Sequence, residues 1–249
     1  MRFGSNFVMP FLVLGDPNYS TSLKLLRIAA ESGANALELG FAFSDPIADG
    51  PIIQAANYRA LSSGITTEKS FMLLKELRKH SDIPISIMVS MNMVFRYGIA
   101  KFYNKCKTLG IDAVLCPDCP LEEIGELLAE SKKNKIYQVF MVAPSTSSKR
   151  LAEISKHASG YIYLVTVRGT TGIRKSISKE VAGLIKKTKS SINLPVYVGF
   201  GISSRQHVKQ VIEMGADGAI CGSAIVKMIK AKNPPLEKVR KFIKSLSLD

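Results

Sequence analysis

Short apolar runs recur along the whole chain, separated by longer stretches in which apolar residues return every three or four positions. The runs of strand length are 7–14 (FVMPFLVL), 35–41 (NALELGF), 83–91 (IPISIMVSM) and 112–117 (DAVLCP). Four more follow at 137–144 (YQVFMVAP), 161–167 (YIYLVTV), 194–200 (LPVYVGF) and 218–222 (GAICG). Their continuous hydrophobicity, with little polar alternation, suits strands covered on both faces. Between them, SLKLLRIAAESGA at 22–34 and TEKSFMLLKELRKH at 67–80 have helical spacing, one closing on a glycine and the other opening on a threonine cap. The same period continues at 94–110, 121–134, 147–160, 177–189, 204–216 and 224–230, with a last helix near 236–246. NPPLEK at 233–238 breaks the chain before that helix.

Eight strand–helix units in 249 residues fit an α/β chain folded as a (β/α)8 TIM barrel, a single domain over 1–249. A doubly wound open sheet is the competing architecture. It usually carries a glycine-rich dinucleotide fingerprint after its first strand, whereas here that strand ends in LGDP. The apolar start MRFGSNFVMPFLVLGDP leads straight into a turn without a small-residue cleavage site, so it reads as the first strand rather than as a leader. No apolar run approaches the ~20 residues of a membrane span. A cytoplasmic protein is the expectation.

Charge and cysteine content change this picture little. The net charge of +14 raises nucleic acid as a partner, but Lys and Arg are spread over helical stretches such as KELRKH and KVRKFIKS. No basic–aromatic motif accompanies them, so solvated helix faces are the expectation, and neither nucleic acid nor membrane is expected as a partner. Of the four cysteines, Cys106, Cys116, Cys119 and Cys221, two form a single C-x-x-C with no second ligand pair, which reads as packing at a strand end. His80, His157 and His207 all fall in helical stretches, away from the strand ends, so no metal site is expected.

In a barrel of this kind the chemistry lies at the C-terminal ends of the strands. The seventh run leads into Gly199-Phe-Gly201-Ile-Ser203, and the eighth into Gly222-Ser223 and a helix start. Glycines let the backbone approach an anion, and free N–H groups at a helix start bind it. Arg168-Gly-Thr-Thr171-Gly172 after the sixth run is a loop able to close over such a ligand. A phosphorylated small molecule is expected. On the second strand Glu38 shares parity with Ala36 and Gly40, whose small size makes room at the barrel mouth. Burial there should raise its pKa and favour proton transfer near neutral pH. Asp49, before Gly50-Pro51, is either a hydrogen-bond acceptor over the mouth or a turn former. Asp45-Pro46 looks like a turn, and Asp16 and Asp118, after the first and fourth strands, are further candidates.

The stretch LELGFAFSDPIADGPIIQAANYRAL resembles the signature of the tryptophan synthase alpha subunit family, which reads close to LELG-x-P-F-S-D-P-x-A-D-G-P-x-I-Q. The resemblance continues in PFLVLGDP, VGFGIS and CGSAIVK, in order along nearly the whole chain. The family's opening helix is the exception, since the sequence starts almost at the first strand. The resemblance implies retro-aldol cleavage of indole-3-glycerol phosphate into indole and glyceraldehyde 3-phosphate. It implies Glu38 as general acid/base and Asp49 as partner of the indole N–H. Tyr163 would stand near the reacting groups, and Phe11 and Phe200 would flank the indole. Gly172, Gly201, Gly222 and Ser223 would form the phosphate site, with Thr171 a further substrate-binding residue. Asp45, Pro46, Asp118 and Pro120 would face a beta subunit in an alpha–beta–beta–alpha complex. That partner carries pyridoxal phosphate and receives the indole, so no cofactor is implied for this chain.

Several positions depart from the family pattern. Ala42 replaces a Pro, Val13 a Thr and Thr166 a Ser; Met88 and Ser90 stand where Leu and Tyr are common; Val167-Arg168 is unusual before Gly-Thr-Thr-Gly. The acid/base pair is intact while the indole wall and closing loop are altered. The alternative is therefore a chain of reduced or lost lyase activity that acts mainly as an allosteric activator of the beta subunit. Another phosphate-binding barrel enzyme, an isomerase or decarboxylase, is disfavoured by the SDP-x-ADGP stretch.

Overall fold

In the computed structural model, which describes residues 2–46, 49–166, 180–199, 201–230 and 234–248, eight parallel strands close into a barrel in the order in which they occur along the chain. They are β1 (Phe7–Val13), β2 (Leu37–Gly40), β3 (Ile85–Met88), β4 (Ala113–Leu115), β5 (Tyr137–Val142), β6 (Ile162–Val165), β7 (Val196–Gly199) and β8 (Gly218–Cys221). Each lies within one of the eight apolar runs. Helices cover the outside, so the strands are buried on both faces and have no reason to alternate.

The helices are α1 (Tyr19–Glu31), α2 (Pro51–Ser62), α3 (Thr67–Arg78), α4 (Met91–Tyr97), α5 (Ile99–Thr108) and α6 (Gly125–Asn134). They continue as α7 (Ser148–His157), α8 (Glu180–Ser191), α9 (Arg205–Glu213), α10 (Ser223–Ile229) and α11 (Leu236–Leu246). The helical pattern does not predict α2, because its buried residues Ile53, Ala56, Asn57 and Ala60 include a polar amide and two small side chains. Its signals are local instead: Gly50 at the cap, Pro51 in the first turn and several alanines. The single helical stretch at 94–110 is divided between α4 and α5 at Gly98, whose φ of +91° has no place in a right-handed helix. No described helix is long and apolar enough to cross a membrane.

The N-terminal end of the barrel is plugged by Phe3, whose ring contacts Tyr137, Tyr161 and Tyr197 at centroid distances of 6.0, 5.1 and 6.4 Å. Tyr161 stacks on Tyr197 at 4.8 Å. Such offset aromatic pairs add to the apolar area they bury. The aromatic plug leaves no space at Gly218, the first residue of β8. A Cβ there would lie 2.7 Å from the Tyr197 ring and 2.8 Å from the Phe7 carbonyl oxygen, a backbone atom that has no freedom to retreat. Gly218→Ala is therefore expected to lower stability by about 1–3 kcal/mol, the usual cost of overpacking; an unchanged urea midpoint in the variant would show the plug to be compliant.

Candidate active site

At the C-terminal ends of the strands a pocket of about 40 Å³ is lined by Phe11, Asp49, Met88, Pro117, Met141, Tyr163, Gly201, Gly222 and Ser223, among others. It joins a wider cleft of about 600 Å³ through shared walls at Phe11, Asp49, Met88 and Pro117. The cleft runs outward past Phe41, Phe43, Ser90 and Asn92 to Asp45, Pro46 and Asp118. The mouth thus has a narrow side against the glycine loops of β7 and β8, and a wide side against the loops of β2, β3 and β4.

Glu38 is fully buried and does not stand in the wall of this pocket. It lies deeper on β2, in register with Phe11 on β1 and Ser86 on β3. The room that Gly40 leaves is filled by the Phe11 ring, since a Cβ on Gly40 would come within 2.8 Å of it. The Tyr161 hydroxyl donates to Glu38 Oε1 at 3.1 Å, while Oε2 has no hydrogen-bond partner among the described residues. Burial pushes the Glu38 carboxyl up to about 8, against the Tyr161 hydrogen bond, which lowers it; the nearby Asp49 charge adds to the rise.

Asp49 sits over the mouth, held by α2. Its Oδ2 accepts from Asn57 Nδ2 at 3.1 Å, and its carbonyl accepts from Gln54 Nε2 at 2.8 Å. Burial raises its pKa to about 6, opposed by the Asn57 hydrogen bond. Near pH 7 the two carboxyl groups are therefore in different states, Glu38 mostly protonated and Asp49 mostly ionised. Tyr163, on β6, is raised by burial and by both carboxylates. Its ring packs over Gly199, where a Cβ would fall 2.2 Å from the hydroxyl oxygen.

Other expected residues divide. Gly201, with φ +83°, and Gly222 and Ser223 at the start of α10 converge on the narrow pocket. Thr171, Gly172, Phe200, Val167 and Arg168 lie outside the described residues. Asp45, Pro46 and Asp118 share the rim of the cleft, with Asp45 exposed; Pro120 is exposed in the same loop as Asp118. Asp118 is also engaged within the chain: Ser90 Oγ donates to it at 2.6 Å and the Met91 N–H at 2.8 Å, which caps α4. Met88 and Ser90 line the cleft, whereas Val13 and Ala42 are core residues. Asp16 does not join the site. It is buried in a two-point ion pair with Arg59 of α2, at 2.7 and 2.8 Å, and lines neither cavity. His207 lies on a helix as expected, but not away from the strand ends: its Nδ1 is 3.1 Å from the Gly201 carbonyl oxygen. The four thiols are free, with Cys106, Cys116 and Cys221 buried, as packing residues are.

Asn57, Tyr161 and Ser86 were not among the sequence candidates. The parity of Tyr161 with Tyr163 is a signal for the second of them. Nothing local marks Asn57 or Ser86.

The family model described as "Tryptophan synthase alpha chain" matches residues 2–247. The chain is 46% identical over 226 residues to a tryptophan synthase alpha chain of Methanothermobacter thermautotrophicus, covering 91% of this chain and 83% of that one. It is 42% identical over 240 residues to one of Helicobacter pylori, covering 94% and 91%. A solved structure of the tryptophan synthase α2β2 complex of Pyrococcus furiosus, described as the basis of mutual activation, superposes with a TM-score of 0.92 at 38% identity over 98% of both chains.

Removing the Asn57 donor should raise the Asp49 pKa above about 6, because a hydrogen bond given to a carboxylate favours its charged form. Titrating Asn57→Leu by carboxyl-carbon NMR measures this; a lowered or unmoved Asp49 midpoint would contradict it.

Proposed function

The chain belongs to the tryptophan synthase alpha chain family, a family of lyases that cleave indole-3-glycerol phosphate to indole and glyceraldehyde 3-phosphate, and on that premise we propose that Glu38 and Asp49 perform this cleavage. What supports this is the placement of two carboxyl groups with different donors, Asp49 at the mouth held by Asn57 and the buried Glu38 beneath it met by Tyr161, so that burial pushes the first to about 6 and the second up to about 8. Glu38, protonated, gives its proton to indole C3. Asp49, ionised, accepts from the ring N–H and stabilises the positive charge that develops there. The Glu38 carboxylate then takes the proton of the glycerol hydroxyl beside the ring. The carbon–carbon bond breaks, its electrons return to the ring, indole and the aldehyde form, and Glu38 is protonated again.

In this reading the phosphate lies against Gly201, Gly222 and Ser223, joined by Thr171 and Gly172. The indole lies by Phe11, Tyr163 and Phe200, with its far edge toward Met88 and Ser90. Members of the family use no cofactor of their own; pyridoxal phosphate belongs to the beta subunit. We place the beta subunit on the rim formed by Asp45, Pro46, Asp118 and Pro120, and the reaction in the cytoplasm. A second reading, in which cleavage is weakened and the chain acts chiefly as an allosteric activator of the beta subunit, has one observation on its side. Met88 and Ser90 border a cleft of about 600 Å³, a loose wall for an indole, and catalytic groups need placement to within roughly 0.5 Å. The intact carboxylates and their donors favour the first reading.

Indole release from indole-3-glycerol phosphate is expected to peak between about pH 6 and about pH 8. Below that window Asp49 is protonated and no longer accepts; above it Glu38 has lost the proton that starts the reaction. Glu38→Gln and Asp49→Ala should each reduce kcat by about 10²–10⁴-fold. Release no faster than in Glu38→Gln, with the beta subunit still activated, would establish the second reading instead.

Asp45→Ala should weaken binding of the beta subunit about tenfold, roughly 1.4 kcal/mol, without altering the thermal transition of the free chain. Calorimetric titration reads this directly, and an unchanged Kd removes Asp45 from the interface.

A further inference from the structure

Ser86 and Glu38 face the barrel interior side by side, as register partners on β3 and β2, and both are fully buried. Their side chains are linked through a third group. Tyr161 Oη lies 2.9 Å from Ser86 Oγ and 3.1 Å from Glu38 Oε1. A phenol carries one proton and cannot donate to both neighbours, so the network has two possible directions. In one, Tyr161 donates to Ser86 and receives from a protonated Glu38. The Ser86 hydroxyl hydrogen is then left without an acceptor, because Tyr161 is its one hydrogen-bond partner among the described residues. A buried hydroxyl in that condition is costly. In the other, Ser86 donates to Tyr161 and Tyr161 donates to Oε1, and with Glu38 ionised every hydrogen has an acceptor.

The second direction has a consequence for the carboxyl group. With Oε1 accepting the phenol hydrogen of the ionised form, the proton that neutralises Glu38 goes to Oε2. Among the described residues Oε2 has no other partner.

We propose that Ser86 is a positioning residue for the acid/base carboxylate: its hydroxyl directs Tyr161 onto Oε1, which stays an acceptor throughout, and reserves Oε2 for proton exchange with the substrate. The proposal rests on the reading of Glu38 as the acid/base group. Ser86 acts through Tyr161 and touches no reacting atom. Hydrogen bonds in series polarise one another, so the Ser86 donor strengthens the bond from Tyr161 to the carboxylate. The titratable groups that face Glu38 are Asp49 above it and Tyr161 and Tyr163 from the β6 side. Neither Asp49 nor Tyr163 is altered in the variants below.

The test is a carboxyl-carbon NMR titration of Glu38 in the full chain and in Ser86→Ala, Ser86→Thr, Tyr161→Phe and the double variant Ser86→Ala/Tyr161→Phe. Losing a donor to the carboxylate favours the neutral form. Ser86→Ala should raise the Glu38 midpoint by about half a pH unit and Tyr161→Phe by about one. The double variant should match Tyr161→Phe alone, because Ser86 acts only through the phenol. Ser86→Thr, which keeps the hydroxyl, should restore the parental midpoint. The alkaline limb of kcat should move with the titration. An unmoved midpoint in Ser86→Ala makes Ser86 a packing residue, a lowered one reverses the direction of the network, and additivity in the double variant shows that Ser86 acts elsewhere; each overturns the proposal. If the midpoints move as stated but no form of the chain releases indole, the catalytic reading fails while the Ser86 network stands.

Discussion

A carboxyl group with no exposure, set inside a closed barrel, is stable only if its surroundings accept either its charge or its proton. Burial alone disfavours the charge, and among the described residues the barrel wall around Glu38 supplies one donor, Tyr161. The balance leaves the group mostly protonated near neutral pH, which is the state a general acid needs. Much of the mouth is arranged around this. Asp49, also buried but given a side-chain amide donor by Asn57, stays mostly ionised. Two carboxylates near one another are therefore not charged together, and the repulsion that would open the site does not arise.

Barrel closure also decides which side chains fit. Phe11 lies against Gly40 and Tyr163 against Gly199, so two aromatic rings occupy space that two strands leave vacant by lacking a Cβ. Large and small residues must alternate around the interior because eight strands leave room for little else. The glycines on β2 and β7 thus have a steric duty that is separate from any role in approaching an anion. The division of the mouth follows from the same geometry. Backbone-rich glycine loops form the narrow side after β7 and β8, while side chains from the β2, β3 and β4 loops form the wide, partly apolar side that opens to the rim.

The eight strands were legible because a strand covered on both faces writes itself as an unbroken apolar run, and that signal needs no partner to be read. Glu38 stood out for the same reason, as a charge within such a run. The long acidic signature then resembled one family closely enough to suggest roles for Asp45 and Asp49. Legibility failed where the cause lay elsewhere in the chain. α2 has no strong apolar stripe because it buries Asn57, and that amide is explained only by Asp49 and the Phe43 N–H that it meets in space. Asp16 sits at a strand end, where chemistry is expected, yet Arg59 claims it. The break at Gly98 depends on a backbone angle that many glycines in helices do not adopt.

Periodicity and local composition therefore settled the architecture and the order of its strands, and pointed to the loops where chemistry is expected, since these follow from burial patterns within short windows of chain. The protonation states of Glu38 and Asp49, the pairing of Asp16 with Arg59, and the link from Ser86 through Tyr161 to Glu38 came from folding. They join residues up to 123 positions apart, and both desolvation and hydrogen bonding depend on which atoms are close in space rather than on which are close in sequence.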